Sequence, residues 1–372
     1  MTSKRKPKIL NVVSVFFSVP FFFGDQFKYF KEKGYDIHLI CSPSKKLEKY
    51  ANSQGVNFKE FVILRRFSVF QDIKTVFAIY KYIKQNNFDI VVGHTPKGAL
   101  IAMLSSYLAR TNNRIYFRHG LAYETATGVK RRILILIEKF TASLSNKIVC
   151  VSPSVLNASN KNKLNDTNKN IILGKGTCNG IDINRFNKRE GNGSLKKIFT
   201  VGFVGRLVKD KGIIELIEAW KTLLKSETNI NLLLVGPLEE RDALPPEVVK
   251  FILNEKTIIH TGLVNDTVPY YLKMDAYILP SYREGFPTSV LEASSMELPI
   301  ITTKVTGCID AIIPNKTGIY TELNPNNIAQ SIKYYIDNKE LSKRFGENGR
   351  SFVVKNFKQE IVWQFIEEEI YK

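Results

Sequence analysis

The sequence predicts an α/β protein of two doubly wound, parallel-sheet halves, and three observations carry that expectation. Short apolar runs of strand length alternate with longer stretches of helical composition. The alternation breaks off at a polar, glycine-containing stretch near residue 190 and then starts again. A chain of 372 residues is long for one domain and comfortable for two. Continuous apolar strands separated by helices are what a parallel sheet covered on both faces requires.

Taken in order, the first strand is expected over residues 9–15. The basic start Lys4-Arg5-Lys6-Pro7-Lys8 and the apolar run to Phe23 imitate a signal peptide. That run is shorter than the ~20 apolar residues needed to span a bilayer. It is also interrupted by Asn11, Ser14, Ser18 and Pro20, and it lacks a small-residue cleavage site. A buried strand followed by a Phe-rich loop is the better reading. Further strands are expected at 37–41, 58–63, 90–93, 114–119 and 148–151, with helices at 25–33, 73–85, 97–109 and 128–144. The Asn- and Lys-rich residues 157–170 read as a surface excursion, and 187–197 as a linker. Beyond it come strands at 199–204, 231–235, 258–260, 277–279 and 300–302. Helices are expected at 213–225, 247–254, 268–274, 288–296, 326–337 and 360–371. Domains of 1–190 and 191–355 result, with a final segment 356–372.

Charge is distributed unevenly. Residues 1–190 hold 32 lysines and arginines against 12 carboxylates, whereas 191–372 hold 22 against 23. A basic half attracts an anionic membrane surface or nucleic acid. Residues 128–146 set Lys130-Arg131-Arg132 beside a run of Ile and Leu, a pattern fit to lie on lipid headgroups or to be a buried helix with a basic first turn. The four cysteines have neither disulfide nor zinc spacing, which points to a reduced, cytosolic protein.

The most informative segment is 284–292, Glu-Gly-Phe-Pro-Thr-Ser-Val-Leu-Glu, in a strand–loop–helix context. Glu284 falls in the loop and Glu292 in the first turn expected for the helix, where free backbone N–H groups attract an anion such as a diphosphate. Spacing leaves two readings of Glu292. It either grips a ribose or closes a capping box with Ser289. Ligands of open parallel sheets bind beyond the carboxyl ends of the strands. There Arg206 and Lys211 would reach a diphosphate, the first as a planar fork and the second as a point charge.

These residues resemble the Glu-x7-Glu signature of the retaining, two-domain family-four glycosyltransferases. The resemblance extends through Gly205-Arg206, Lys211-Gly212, the loop Pro280-Ser281-Tyr282-Arg283-Glu284-Gly285-Phe286, the segment Asn179 to Phe186, and His119-Gly120. It implies a GT-B architecture, two Rossmann-like domains facing each other across a cleft. It further implies a sugar donor bound by the second domain and a polyprenyl-diphosphate-linked glycan, in surface polysaccharide or glycoprotein glycan synthesis, bound by the first. On this resemblance Arg206, Lys211, Thr288 and Ser289 hold the donor diphosphate, Glu292 the ribose, and Glu284, Gly285 and Phe286 the sugar. His119 and Glu284 take the catalytic positions. A uridine donor carrying an N-acetylhexosamine is the expectation, at the inner face of the cell membrane and with no cofactor.

His94 ends another strand, and the turn through Lys97 would either hold the acceptor, with Lys97 on a phosphate, or be purely structural. No Asp-x-Asp occurs, so a metal-bridged diphosphate site has no evident ligands. Gly174-Lys175-Gly176-Thr177 lacks the upstream glycine of a nucleotide-binding loop. Phe23 precedes Gly24 where relatives carry paired glycines. The alternatives are a nucleotide-sugar epimerase of similar shape, or a basic nucleic-acid-binding module without a recognisable helix-turn-helix or finger.

Overall fold

The computed structural model describes residues 5–66, 68–188, 198–240 and 242–372. Two compact units divide the chain: residues 1–179 with 360–372, and residues 180–359.

The first unit contains a seven-stranded parallel sheet of β1 Lys8–Val12, β2 Asp36–Cys41, β3 Asn57–Glu60, β4 Ile90–Gly93, β5 Asn113–Arg118, β6 Lys147–Cys150 and β7 Asn170–Ile171. Their spatial order is β3-β2-β1-β4-β5-β6-β7. The second holds a six-stranded parallel sheet of β8 Phe199–Val204, β9 Ile230–Val235, β10 Ile258–His260, β11 Ala276–Leu279, β12 Ile300–Thr303 and β13 Gly318–Thr321, in the order β10-β9-β8-β11-β12-β13. Both are doubly wound Rossmann-like sheets. Central strands such as β4, β11 and β12 are buried at every position, which is why they read as unbroken apolar runs.

The linker expected at 187–197 lies, apart from Asn187 and Lys188, outside the described residues. The second unit nevertheless begins at Gly180, before the expected boundary near 190, because Ile181 and Phe186 bury in its core. Ile181 N–H donates to Phe357 O at 2.7 Å, and Ser295 Oγ donates to Phe186 O at the same distance. From its second residue onward the helix Gln359–Ile366, together with the wider turns of Glu367–Tyr371, belongs to the first unit. Trp363 Nε1 donates to Asn179 Oδ1 at 2.7 Å, and Lys33 Nζ to Glu367 Oε2 at 2.5 Å.

Several elements depart from the sequence reading, among them helix Leu47–Gln54 and the two-residue strand β7. The Phe-rich segment is helical over Val19–Phe23, since coiling lets Phe23 bury while Phe22 stacks on a histidine. Helix Pro153–Lys161 occupies the first part of the expected surface excursion, started by Pro153 and by Ser152 Oγ, which accepts from Val155 N–H. The helix Lys339–Asn356 and the edge strand β13 were not anticipated either.

Candidate active site

A sheet whose order runs outward in both directions from its first strand has a switch point, and a crevice opens there beyond the carboxyl ends. In the second unit the switch lies between β8 and β11. Arg206 follows the first of these strands, and the loop Pro280–Pro287 follows the second.

Backbone packing at this switch point is close. A Cβ on Gly236 would lie 1.8 Å from Gly205 O, and one on Gly212 would lie 1.9 Å from Pro280 O. Both glycines also have positive φ, so a larger residue would strain the loops and force them apart. Pairing of β8 with β9 continues through Leu207 N–H to Pro237 O at 2.9 Å. That continuation brings Arg206 Nη1 to 2.8 Å from Glu239 Oε2. Lys211 ends a short turn before helix Ile213–Leu223, and its ammonium pairs with Glu284 Oε1. The same Glu284 oxygen accepts from Ser281 Oγ at 2.7 Å, and Glu284 N–H donates to Thr306 O at 3.1 Å. Both expected cations are therefore held by carboxylates, and a diphosphate would have to exchange with those carboxylates.

Helix Thr288–Ser295 opens behind Pro287, so the amides of Thr288 and Ser289 sit where N–H groups lack intrahelical acceptors. Gly285 is buried, and Phe286 packs 5.2 Å from Phe357. Glu292 is the fifth residue of that helix, one turn further in than expected. The capping box with Ser289 does not form. Ser289 Oγ instead lies 2.7 Å from Tyr277 OH, and Glu292 Oε2 accepts from Tyr271 OH at 2.8 Å. Burial pushes the Glu292 carboxyl up to about 7, against the opposing pull of the Tyr271 hydrogen bond and the Arg185 charge. Around neutrality it is poised between hydrogen-bond donor and acceptor.

In the first unit the switch lies between β1 and β4. His94 directly follows β4 and His119 directly follows β5. Their rings meet, with His94 Nδ1 3.0 Å from His119 Nε2, while His94 Nε2 lies 3.2 Å from Asn11 Oδ1. With Asn11 accepting, His94 carries its proton on Nε2 and accepts from His119 Nε2–H. His119 Nδ1 is left as an acceptor. Phe22 stacks on His119 at 3.8 Å, and Phe117 stacks on His94 at 4.8 Å. Burial drives His119 down to about 3, and burial together with the His119 charge drives His94 down as well, so both rings are neutral near pH 7.

The turn expected to hold an acceptor is engaged within its own unit. His94 is buried in the histidine pair, and Lys97 is buried and ion-paired with Asp72. Thr95 holds the turn at φ +63°, with Oγ1 2.8 Å from Ser14 Oγ.

Residues 184–352 match the model of glycosyl transferases group 1, and residues 8–152 match that of glycosyl transferase 4-like proteins. The capsular polysaccharide biosynthesis glycosyltransferase CapM of Staphylococcus aureus is 32% identical over 370 residues, covering 98% of this chain and 96% of its own. This chain belongs to the GT4-like glycosyltransferases. An Escherichia coli relative, UDP-Gal:alpha-D-GlcNAc-diphosphoundecaprenol alpha-1,3-galactosyltransferase, is 26% identical across 89% of this chain and 88% of its own. Anabaena HepE, solved with UDP-glucose, shares the fold with a TM-score of 0.81 at 17% identity, covering 98% of this chain and 99% of its own.

Several groups around this candidate site escaped sequence reading. Glu239, Tyr271 and Tyr277 hold Arg206, Glu292 and Ser289, yet they come from a loop, a short helix and a strand with no distinguishing local pattern. Asn11 did leave a trace, as a polar residue inside an apolar strand.

Proposed function

We propose that this glycosyltransferase is retaining and metal-independent. It moves a hexose or N-acetylhexosamine from a uridine diphosphate sugar to a polyprenyl-diphosphate-linked glycan at the cytoplasmic face of an anionic membrane. The carrying observation is the Lys211–Glu284 pair set beside the helix start of Thr288 and Ser289 at the switch point of the second sheet. The names of CapM and of the E. coli galactosyltransferase support the choice of pathway and lipid-linked acceptor.

In this reading Arg206, Lys211 and the amides of Thr288 and Ser289 hold the diphosphate, and Glu292 accepts from the ribose hydroxyls. As the phosphates engage Lys211, Glu284 is released to accept from sugar hydroxyls, with the backbone of Gly285 and Phe286 alongside. His119 is the partner of the transferred sugar in the first unit. Charge grows on the leaving diphosphate as the sugar C–O bond breaks, so cations aimed at it stabilise the transition state more than the ground state. The acceptor oxygen bonds the anomeric carbon on the face the phosphate leaves, and its proton passes to a departing phosphate oxygen.

Product analysis with a panel of uridine and guanosine diphosphate sugars, with and without lipid-linked acceptor, tests this reading. Acceptor-dependent release of UDP and a product anomer matching the donor are expected. An inverted anomer overturns retention, and an altered sugar nucleotide formed without acceptor replaces transfer by epimerisation.

A further inference from the structure

We infer that the first unit carries a membrane-docking face, an apolar groove between three helices that seats on the acyl layer of an anionic bilayer. The helices are Val69–Asn86, Pro96–Leu108 and Gly128–Ser143. A groove of about 480 Å³ runs between them, walled by Ile73, Phe77, Leu104, Ile133, Leu136 and Phe140. Asp72 also lines it, neutralised by Lys97.

Two of the helices that wall it carry exposed apolar side chains in and beyond the groove. Phe70 is 90% exposed, Val129 70% and Leu136 64%, and Ile73, Phe77 and Phe140 are each about half exposed. Apolar groups gathered this densely mark an interaction site.

Charge selects the occupant. Helices Val69–Asn86 and Gly128–Ser143 expose seven cations, Lys74, Lys81, Lys84, Lys130, Arg131, Arg132 and Lys139. Neither helix exposes a carboxylate, because Asp72 is partly buried against Lys97 and Glu138 is buried against Arg118. A second copy of this face would oppose seven cations with seven more. Nucleic acid would find the cations but leave the apolar wall uncovered. A bilayer with anionic headgroups satisfies both, with acyl chains against the groove and phosphates against the bases. Among the described residues no helix is long and apolar enough to cross a membrane, so the contact is interfacial. Lys97 follows His94 by three residues, so the groove opens beside the carboxyl end that carries the histidine pair. The inference rests on the proposed lipid acceptor only for its purpose. Its test needs no transfer reaction.

Cosedimentation with vesicles of phosphatidylcholine alone, and with an equal part of phosphatidylglycerol, reads the docking directly. The full chain is expected to bind the mixed vesicles, to ignore the neutral ones and to release as salt rises. The pair Phe70→Glu and Leu136→Glu changes exposed positions and should lower partition roughly tenfold or more. The triple variant Lys130→Glu, Arg132→Glu and Lys139→Glu should abolish the preference for the anionic vesicles. Circular dichroism and transfer to a short-chain, water-soluble acceptor should stay unchanged in both. Equal binding to both vesicles, or wild-type partition by the Phe70/Leu136 variant, overturns the inference. So does a dimer that this variant dissolves without loss of vesicle binding, which would make the face a self-association surface. Sugar transfer without vesicle binding sinks the docking face and leaves the transferase reading standing. Vesicle binding without transfer does the reverse.

Discussion

The two units place their candidate groups at the same topological position and fill it with opposite chemistry. In the first, the switch point holds two neutral imidazoles stacked among phenylalanines and tied to Asn11. In the second, it holds cation–carboxylate pairs, with a carboxyl poised near neutrality one helical turn away. Doubly wound topology thus fixes where ligands go, and the side chains fix which ones. A neutral pair of rings presents one directed acceptor, whereas exchangeable ion pairs present charge that a diphosphate can take over.

The largest effect that would sharpen this contrast is on catalysis. Lys211→Ala or Arg206→Ala, in protein shown to be folded, should cut kcat/KM for the donor roughly 10²- to 10³-fold. Turnover within a fewfold of wild type would remove the second switch point from the donor site.

Stability should separate the units next. Arg118 is fully buried in the first unit, where its Nε donates to Glu138 Oε2 at 3.1 Å. Arg118→Met strands a buried carboxylate and should cost roughly 3–5 kcal/mol, lowering that unit's calorimetric transition on the order of 10 °C. Arg185–Asp266, a pair half exposed on the second unit, lies at the other extreme. Arg185→Ala should change stability by no more than about 1 kcal/mol. Comparable losses in both variants would break the distinction between a buried and a solvated pair.

A smaller, directional effect concerns pH. His119 titrates lower folded than its ordinary 6.5, so the folded state binds fewer protons than the unfolded. Its contribution is complete above that ordinary value and is lost as pH falls toward about 3. Glu292 has the opposite sign. Its folded value lies above the ordinary 4.5, so stability is complete below 4.5 and declines as pH rises toward about 7. The stability of Glu292→Gln relative to wild type should therefore grow across that window, and that of His119→Gln should grow as pH drops below 6.5. Calorimetry across pH checks both, and parallel trends would contradict the assigned environments.

Much of this was legible in the residues, for physical reasons that also explain what was not. Central strands announce themselves because burial on both faces demands unbroken apolar runs, as in Ile90–Gly93 and Ala276–Leu279. The two-residue strand Asn170–Ile171 is too short for such a run. Gly318–Thr321 carries glycine and two threonine or tyrosine positions at a sheet edge, so it lacks one too. Glu284, Lys211 and Arg206 lie in the connections that leave the carboxyl ends of strands, where topology gives position away. Glu239, Tyr271 and Asp72, which hold Arg206, Glu292 and Lys97, come from elsewhere in the chain, and only folding brings them near. Lys97, expected on an acceptor phosphate, likewise has its partner Asp72 25 residues away in the sequence.

The central claim is that the second unit's switch point holds a nucleotide diphosphate. Titration calorimetry with UDP on wild type and on the Arg206→Ala, Lys211→Ala double variant tests it most directly. The account predicts saturable binding to the wild type and loss of about 3 kcal/mol or more of affinity in the variant, from two charge-assisted contacts. Undiminished UDP binding by a folded double variant would contradict it.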